Sequence, residues 1–218
     1  MWQRFSCFCF DFDGLLVDTE PLHYEAFSKA TAMWGLAWDW DFDTYLRHAH
    51  SQSSGALRAL EKEFPQIVGE EGMLLVKRKQ AIYEELLQEK PPRLMPGVHA
   101  FLDRLEQEGR LRCVVTNSVR SHVELVKKAY PILQSIPLWI TREEYLRPKP
   151  APDGYQKALA QLGCVPNSAI GFEDSVKGVQ ALVHAGIHAV WICPKRQMQA
   201  SEYPHPHVQH VESFASIF

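Results

Sequence analysis

Short continuous apolar runs recur along the chain, separated by stretches of helical spacing: Phe5–Phe10, Leu111–Val115, Leu138–Ile140, Ala169–Phe172 and Ala189–Cys193. Each run is closed by polar, Gly or Pro residues, and together they predict five strands of a parallel sheet covered on both faces. From about Pro21 to Gln88 the alternation stops and helices follow one another. Pro21 suits a first helical turn and Thr19 a cap, after which Leu22, Ala26, Phe27 and Ala30 recur at helical spacing. A later helix is expected from about Glu70 to Gln88, with Leu74, Leu75, Ala81, Ile82 and Leu86 as its apolar stripe. Pro91, Pro92 and Pro96-Gly97 then read as a linker. The pattern predicts an α/β core formed by residues 1–17 and 93–218, interrupted after its first strand by a helical cap over residues 18–92.

Composition changes this picture little. At 218 residues with 46% hydrophobic and 22% charged positions, the chain can bury one sizeable core beside an insertion. A net charge of −3 gives no bulk attraction to nucleic acid or an anionic membrane. Five cysteines form no CxxC pair, and Cys7, Cys9, Cys113 and Cys193 fall in apolar stretches, as packing thiols do. The first apolar run ends at Asp11, too short for a signal peptide, and no run approaches a membrane span. A cytoplasmic protein is expected, working as a monomer or weak homo-oligomer. Trp34, Trp38 and Trp40 read as cap packing, and His205, His207 and His210 as a solvated tail.

Four spots carry chemistry, all at predicted strand ends. Asp11-Phe12-Asp13 places two carboxylates two positions apart after a buried strand, where mutual repulsion and desolvation call for compensation. A divalent cation is the simplest compensation, and ligands of open parallel sheets bind beyond the strands' carboxyl ends. The pair suggests a nucleophile and an acid/base beside Mg²⁺, although a DxD triplet by itself is also compatible with an exposed acidic turn. Thr116-Asn117-Ser118 offers neutral donors for phosphate oxygens, or simply a turn and cap. Prolines on both sides of Lys149 stiffen the loop carrying it, either to fix one ammonium beside reacting charge or as a plain surface loop. Glu173 and Asp174 end another apolar run; they could complete an oxygen-rich cation site or favour the N-terminus of the next helix.

Taken in order, Asp11-Phe12-Asp13-Gly14-Leu15-Leu16-Val17-Asp18-Thr19-Glu20, Thr116-Asn117, Lys149-Pro150-Ala151-Pro152-Asp153 and Gly171-Phe172-Glu173-Asp174-Ser175 resemble the four motifs of the haloacid dehalogenase superfamily. Within it the chain is similar to the branch of β-phosphoglucomutase and small sugar-phosphate phosphatases, and Gly178 to Gly186 continues the likeness. The resemblance implies a Rossmann-like core with a helical cap that closes over it. It also implies an Mg²⁺-dependent phosphatase acting on a small phosphorylated metabolite through an aspartyl-phosphate. By it, Asp11 is the nucleophile, Asp13 the acid/base and Lys149 the charge-neutralising group, while Thr116, Asn117 and Ser118 hold the phosphate. Asp11, the Asp13 carbonyl and Asp174 bind the metal, with Glu173 in or just behind that shell. His23 and Lys79 fall where the branch has substrate-contacting groups; a packing histidine and a solvated lysine face are the plain alternatives.

One stretch departs from the branch. The mutases carry a glycine-led cap loop with an arginine for the distal phosphate of a bisphosphate, and here His48-Ala49-His50-Ser51-Gln52-Ser53-Ser54 has neither. Without that cation, retention of a bisphosphate for reorientation is disfavoured, so water is the expected final acceptor. A β-phosphoglucomutase-like phosphosugar mutase is the alternative.

Overall fold

The structure is a computed structural model that describes residues 2–51, 54–193 and 208–217. In chain order it contains β1 (Cys7–Phe10), α1 (Glu20–Met33), α2 (Phe42–Ser51), α3 (Gly55–Glu63), α4 (Glu70–Glu89), α5 (Val98–Gln107), β2 (Leu111–Val115), α6 (Arg120–Ala129), α7 (Pro131–Gln134) and β3 (Leu138–Ile140). There follow α8 (Asp153–Leu162), β4 (Ala169–Glu173), α9 (Val176–His184), β5 (His188–Ile192) and β6 (Val208–Val211). All strand pairings are parallel, in the order β3-β2-β1-β4-β5-β6. The chain winds outward from β1 in one direction through β2 and β3, then in the other through β4, β5 and β6. The switch in direction therefore lies between β1 and β4, and a crevice opens there at the strands' carboxyl ends.

Strand alternation divides the core into two layers. Phe8 and Phe10 face α5, where they pack with Phe101, Phe172 and Phe214. Cys7 and Cys9 face the opposite layer with Cys113, Tyr155, Val179 and Leu182. The four apolar cysteines are buried free thiols, as expected. Full burial of β1 explains why it reads as a continuous apolar run rather than an alternating one.

Four expectations need correction. A sixth strand, β6, pairs with β5; its Val-Gln-His-Val sequence is half-buried and carries too little apolar signal to announce an edge strand. His210 consequently belongs to a strand, not a solvated tail, with its Nε2 2.7 Å from the Cys193 carbonyl, while His205 and His207 lie outside the described residues. Thr19 precedes α1 but does not cap it: its backbone is already helical (φ −84°, ψ −16°), unlike the extended backbone of a capping residue, and its side chain makes no capping hydrogen bond. Along α4 the buried side is Leu75, Ile82, Tyr83, Leu86 and Leu87, whereas Leu74 is 45% exposed. The stripe is set by packing against α1, which rotates Leu74 out of the contact.

Val17 bridges both Asp13 and Leu94, and the Asp18 amide donates to the Arg93 carbonyl at 2.8 Å. The chain thus leaves and re-enters the core through two adjacent paired segments, which supports residues 18–92 as the proposed cap. The near ends of α1 and α4 join the main core through Leu22, Ala26 and Leu86, and the outer cap has its own cluster around Phe27, Trp40, Tyr45 and Leu60. The three tryptophans serve that cap packing: their indole N–H groups donate to Glu71, Thr31 and Glu63. No helix among the described residues is long and apolar enough to cross a membrane.

Candidate active site

Strand alternation continues one step past β1. Phe12 turns into the α5 layer against Trp139, so Asp11 and Asp13 both project from the other side, at the switch point. Asp11 is tied to the neighbouring strand by its amide, which donates to the Phe172 carbonyl at 3.0 Å. β4 ends one residue later and delivers Glu173 and Asp174 beside it. The segment after β2 supplies Thr116, Asn117 and Ser118, and the proline-flanked loop before α8 supplies Lys149. A cavity of about 210 Å³ opens between these groups and the cap; Asp11, Asp13, Thr116, Asn117, Ser118, Lys149 and Asp174 line it, as do His23 and Lys79 from the cap. Glu173 stands behind it.

Lys149 organises the floor. Its Nζ donates to Asp11 Oδ1 at 2.5 Å, Glu173 Oε1 at 2.6 Å and the Val115 carbonyl at 2.7 Å, which uses all three of its donors. Tyr155 also donates to Glu173 Oε1, at 2.6 Å, from the interior of the sheet. The loop is held in turn by Asn117, whose Oδ1 accepts from the Lys149 amide and the Tyr145 hydroxyl. Asn117 therefore places Lys149 at least as directly as it lines the cavity. Burial opposes the Lys149 charge, but Asp11 and Glu173 reverse this and hold its pKa above the ordinary value. Burial, with Glu173 adding to it, pushes the Asp11 carboxyl well up. A carboxyl that is only 8% exposed and surrounded by like charge needs further positive charge to stay an anion.

Asp13 is in the opposite condition. Burial disfavours its charge, yet the facing His23 and the Ser118 hydroxyl overcome that and hold its pKa down at about 2. Its Oδ2 accepts from Ser118 Oγ at 2.6 Å and Thr116 Oγ1 at 3.2 Å. His23 Nε2 stands 3.9 Å from Oδ1, an ion-pair distance, while Nδ1 of the same ring accepts from Lys79 Nζ at 2.8 Å. The imidazole also stacks on Tyr83 with ring centroids 3.9 Å apart. His23 and Lys79, from α1 and α4, thus form one unit beside Asp13. Burial lowers the Lys79 ammonium to about 8.

The donor set fits a hard divalent cation. One carboxylate oxygen each from Asp11, Glu173 and Asp174 lies within 4.8 Å of the others, and oxygen-only ligation suits Mg²⁺. Burial, with Glu173 and Glu20 adding to it, pushes Asp174 up to about 7 despite a favourable His50. Gly14 makes this approach possible: at φ +77°, a Cβ there would stand 2.2 Å from Asp174 Oδ2. Glu173 is fully buried, and its Oε2 has no partner among the described residues.

Sequence reading gave no role to Glu20, His50 or Tyr155. His50 Nε2 meets Glu20 Oε1 at 2.9 Å, and with Asp174 they form a second group of close ligand atoms. Burial acts against both charges of that pair, but each partner sustains the other, leaving Glu20 at about 2 and His50 at about 9. Glu20 sits within the first motif and so had a signal; the others lie on helices without one.

Residues 8–192 match the model of the haloacid dehalogenase-like hydrolases. Among curated proteins, the chain is 31% identical to protein CbbY of Rhodobacter capsulatus over 200 residues, covering 83% of this chain and 82% of that one. It is 27% identical over 190 residues to a phosphorylated carbohydrates phosphatase of Thermotoga maritima, covering 84% and 82%. Among solved structures, CbbY of Rhodobacter sphaeroides in complex with phosphate superposes with a TM-score of 0.78 at 23% identity, over 98% of this chain and 96% of that one, a likeness of fold.

Proposed function

The chain belongs to the haloacid dehalogenase-like hydrolase family, and on that premise we propose that it is an Mg²⁺-dependent phosphatase of small phosphorylated metabolites, sugar, polyol or phosphoglycolate type, working through an aspartyl-phosphate. The carrying observation is that Asp11, Asp13, Thr116, Ser118, Lys149 and Asp174 converge on one small cavity at the switch point of the sheet. Asp11, the Asp13 carbonyl and Asp174, with Glu173 in or just behind that shell, are the groups that would hold the metal. Bound there, Mg²⁺ supplies Lewis-acid polarisation of the phosphoryl oxygens and compensates the crowded carboxylates.

In this reading a carboxylate oxygen of Asp11 attacks phosphorus as the bond to the leaving oxygen breaks, and Asp13 gives that oxygen a proton. Lys149 steadies Asp11 and offsets charge on the transferring group. Asp13, now a carboxylate, takes a proton from water as the water attacks the phospho-Asp11, releasing inorganic phosphate and restoring Asp11. Thr116 and Ser118 connect the two roles of Asp13. Their hydroxyls rest on Asp13 Oδ2, and phosphate oxygens would compete for them. Loss of those donors favours the protonated acid that the first step needs. His23 and Lys79 are placed to contact the leaving group from above.

The test is phosphate release from a panel of phosphorylated metabolites, with and without Mg²⁺. Asp11→Asn should lower turnover by at least about a thousandfold while circular dichroism stays unchanged. Undiminished metal-dependent hydrolysis by that variant sinks the nucleophile assignment. Conversion of β-glucose 1-phosphate to glucose 6-phosphate without phosphate release would favour the mutase instead.

A further inference from the structure

The exposed apolar side chains of this protein are not scattered. Among the described residues seven large ones are exposed, and four of them lie at one end of the cap: Met33 at the end of α1, Val68 just before α4, and Met73 and Leu74 in the first turns of α4. Met33, Val68 and Met73 are each 60% exposed or more. A single exposed hydrophobe needs no explanation, but a group of them on a helix marks a contact surface. The half of α4 that carries them is remote from the core. The other half joins the main core through Ile82 and Leu86, whereas Leu75 belongs to the outer cap cluster.

Charges frame this patch in an order that complements itself. Glu70 and Glu71 precede Met73-Leu74, and Lys77 and Arg78 follow. All four are exposed. Among the described residues, none of them has an opposite charge at ion-pair distance. Glu71 accepts the Trp34 indole N–H at 2.8 Å, and Arg78 Nε lies 3.4 Å from Met33 Sδ, so both have neutral partners. Counted from Leu74, the acids stand four and three residues before it and the bases three and four after. Glu70, Leu74 and Arg78 recur at i, i+4 and so share a face of α4. A two-fold axis through Leu74 that lays a second α4 antiparallel brings Glu70 to the second copy's Arg78 and Glu71 to its Lys77. Leu74 then meets Leu74 at the centre. A foreign partner would have to supply both signs of charge in this mirrored order, whereas a second copy of the chain already carries them.

We propose that this end of the cap is a dimerisation surface, at which two copies of the chain pair their α4 helices antiparallel about a two-fold axis through Leu74. Lys79, which lines the catalytic cavity, is five residues beyond Leu74 and so about 140° around the helix. Both cavities therefore stay open in the dimer. Two helix faces bury less surface than a standard interface, so the association is weak and reversible.

Sedimentation equilibrium of the full chain checks it. The weight-average mass should climb from 25.0 kDa toward twice that as the protein is raised from about 1 to about 500 µM. Leu74→Glu sets two carboxylates face to face on the axis and should weaken association by at least about tenfold. The mirrored charges have a sharper test. Glu70→Lys sets a lysine against arginine, and Arg78→Glu sets a glutamate against glutamate, so each variant alone should associate at least about tenfold more weakly. Mixed in equal amounts, the two variants oppose unlike charges at both pairs, and association should return. All three variants should keep the circular dichroism of the wild type, because every changed side chain is exposed. A mass of 25.0 kDa throughout the range overturns the proposal. So does a dimer that Leu74→Glu leaves intact, and so do charge variants that associate like the wild type or that stay weak when mixed.

Discussion

At the scale of single residues, the site is a balance of buried charges. Lys149 alone cannot serve both of its carboxylates without help, and the Tyr155 hydroxyl supplies a second donor to Glu173. Tyr155→Phe removes a hydrogen bond to a charged, fully buried acceptor and should cost about 2 kcal/mol of stability, measured by urea unfolding. An unchanged midpoint would show that Lys149 suffices. Asp11, Asp13 and Lys149 were legible in the sequence because their signals are local: a charged pair ending an apolar run, and a lysine between prolines. Tyr155 was not. It is one aromatic among helix residues, and only the packing of α8 under β4 gives its hydroxyl an acceptor.

At the scale of elements, the turn after β1 does more than reverse the chain. Gly14 lets this turn and the end of β4 approach to a distance no side chain would permit. Gly14→Ala would strain a backbone at φ +77° and displace Asp174. The Mg²⁺ concentration giving half-maximal phosphate release should rise by about tenfold, as for lost outer support of a metal ligand. Unaltered Mg²⁺ dependence would remove Asp174 from the metal site. The helices were placed from the sequence better than their faces: α4 begins at Glu70 as expected, but its stripe includes Tyr83 and omits Leu74. Periodicity gives a helix its existence, whereas the partner helix decides which side is inward.

For the whole molecule, folding collects Asp11, Asp13, Glu20, Glu173 and Asp174 around one crevice, so stability depends on pH and on metal. In metal-free protein Asp174 is raised to about 7 against an ordinary value near 3.8. Between those values the folded state binds more protons than the unfolded one, so stability falls as pH rises. His50, raised to about 9, acts with the same sign at higher pH. With EDTA, the unfolding midpoint should therefore drop between pH 5 and pH 8. Saturating Mg²⁺ should restore it at pH 8, because the ion binds the folded cluster alone. A midpoint at pH 8 that ignores Mg²⁺ would contradict a metal site in this cluster. The amino-acid sequence by itself determined the parallel α/β alternation, the helical insertion and the four motif segments. Each of these is written in local spacing and in charge at the ends of apolar runs. Only the tertiary structure decided β6, the His23–Lys79 unit, the Glu20–His50 pair and the outward side of α4. Those depend on which element lies beside which, and a half-buried strand or a lone helix cation carries no local mark of its neighbour.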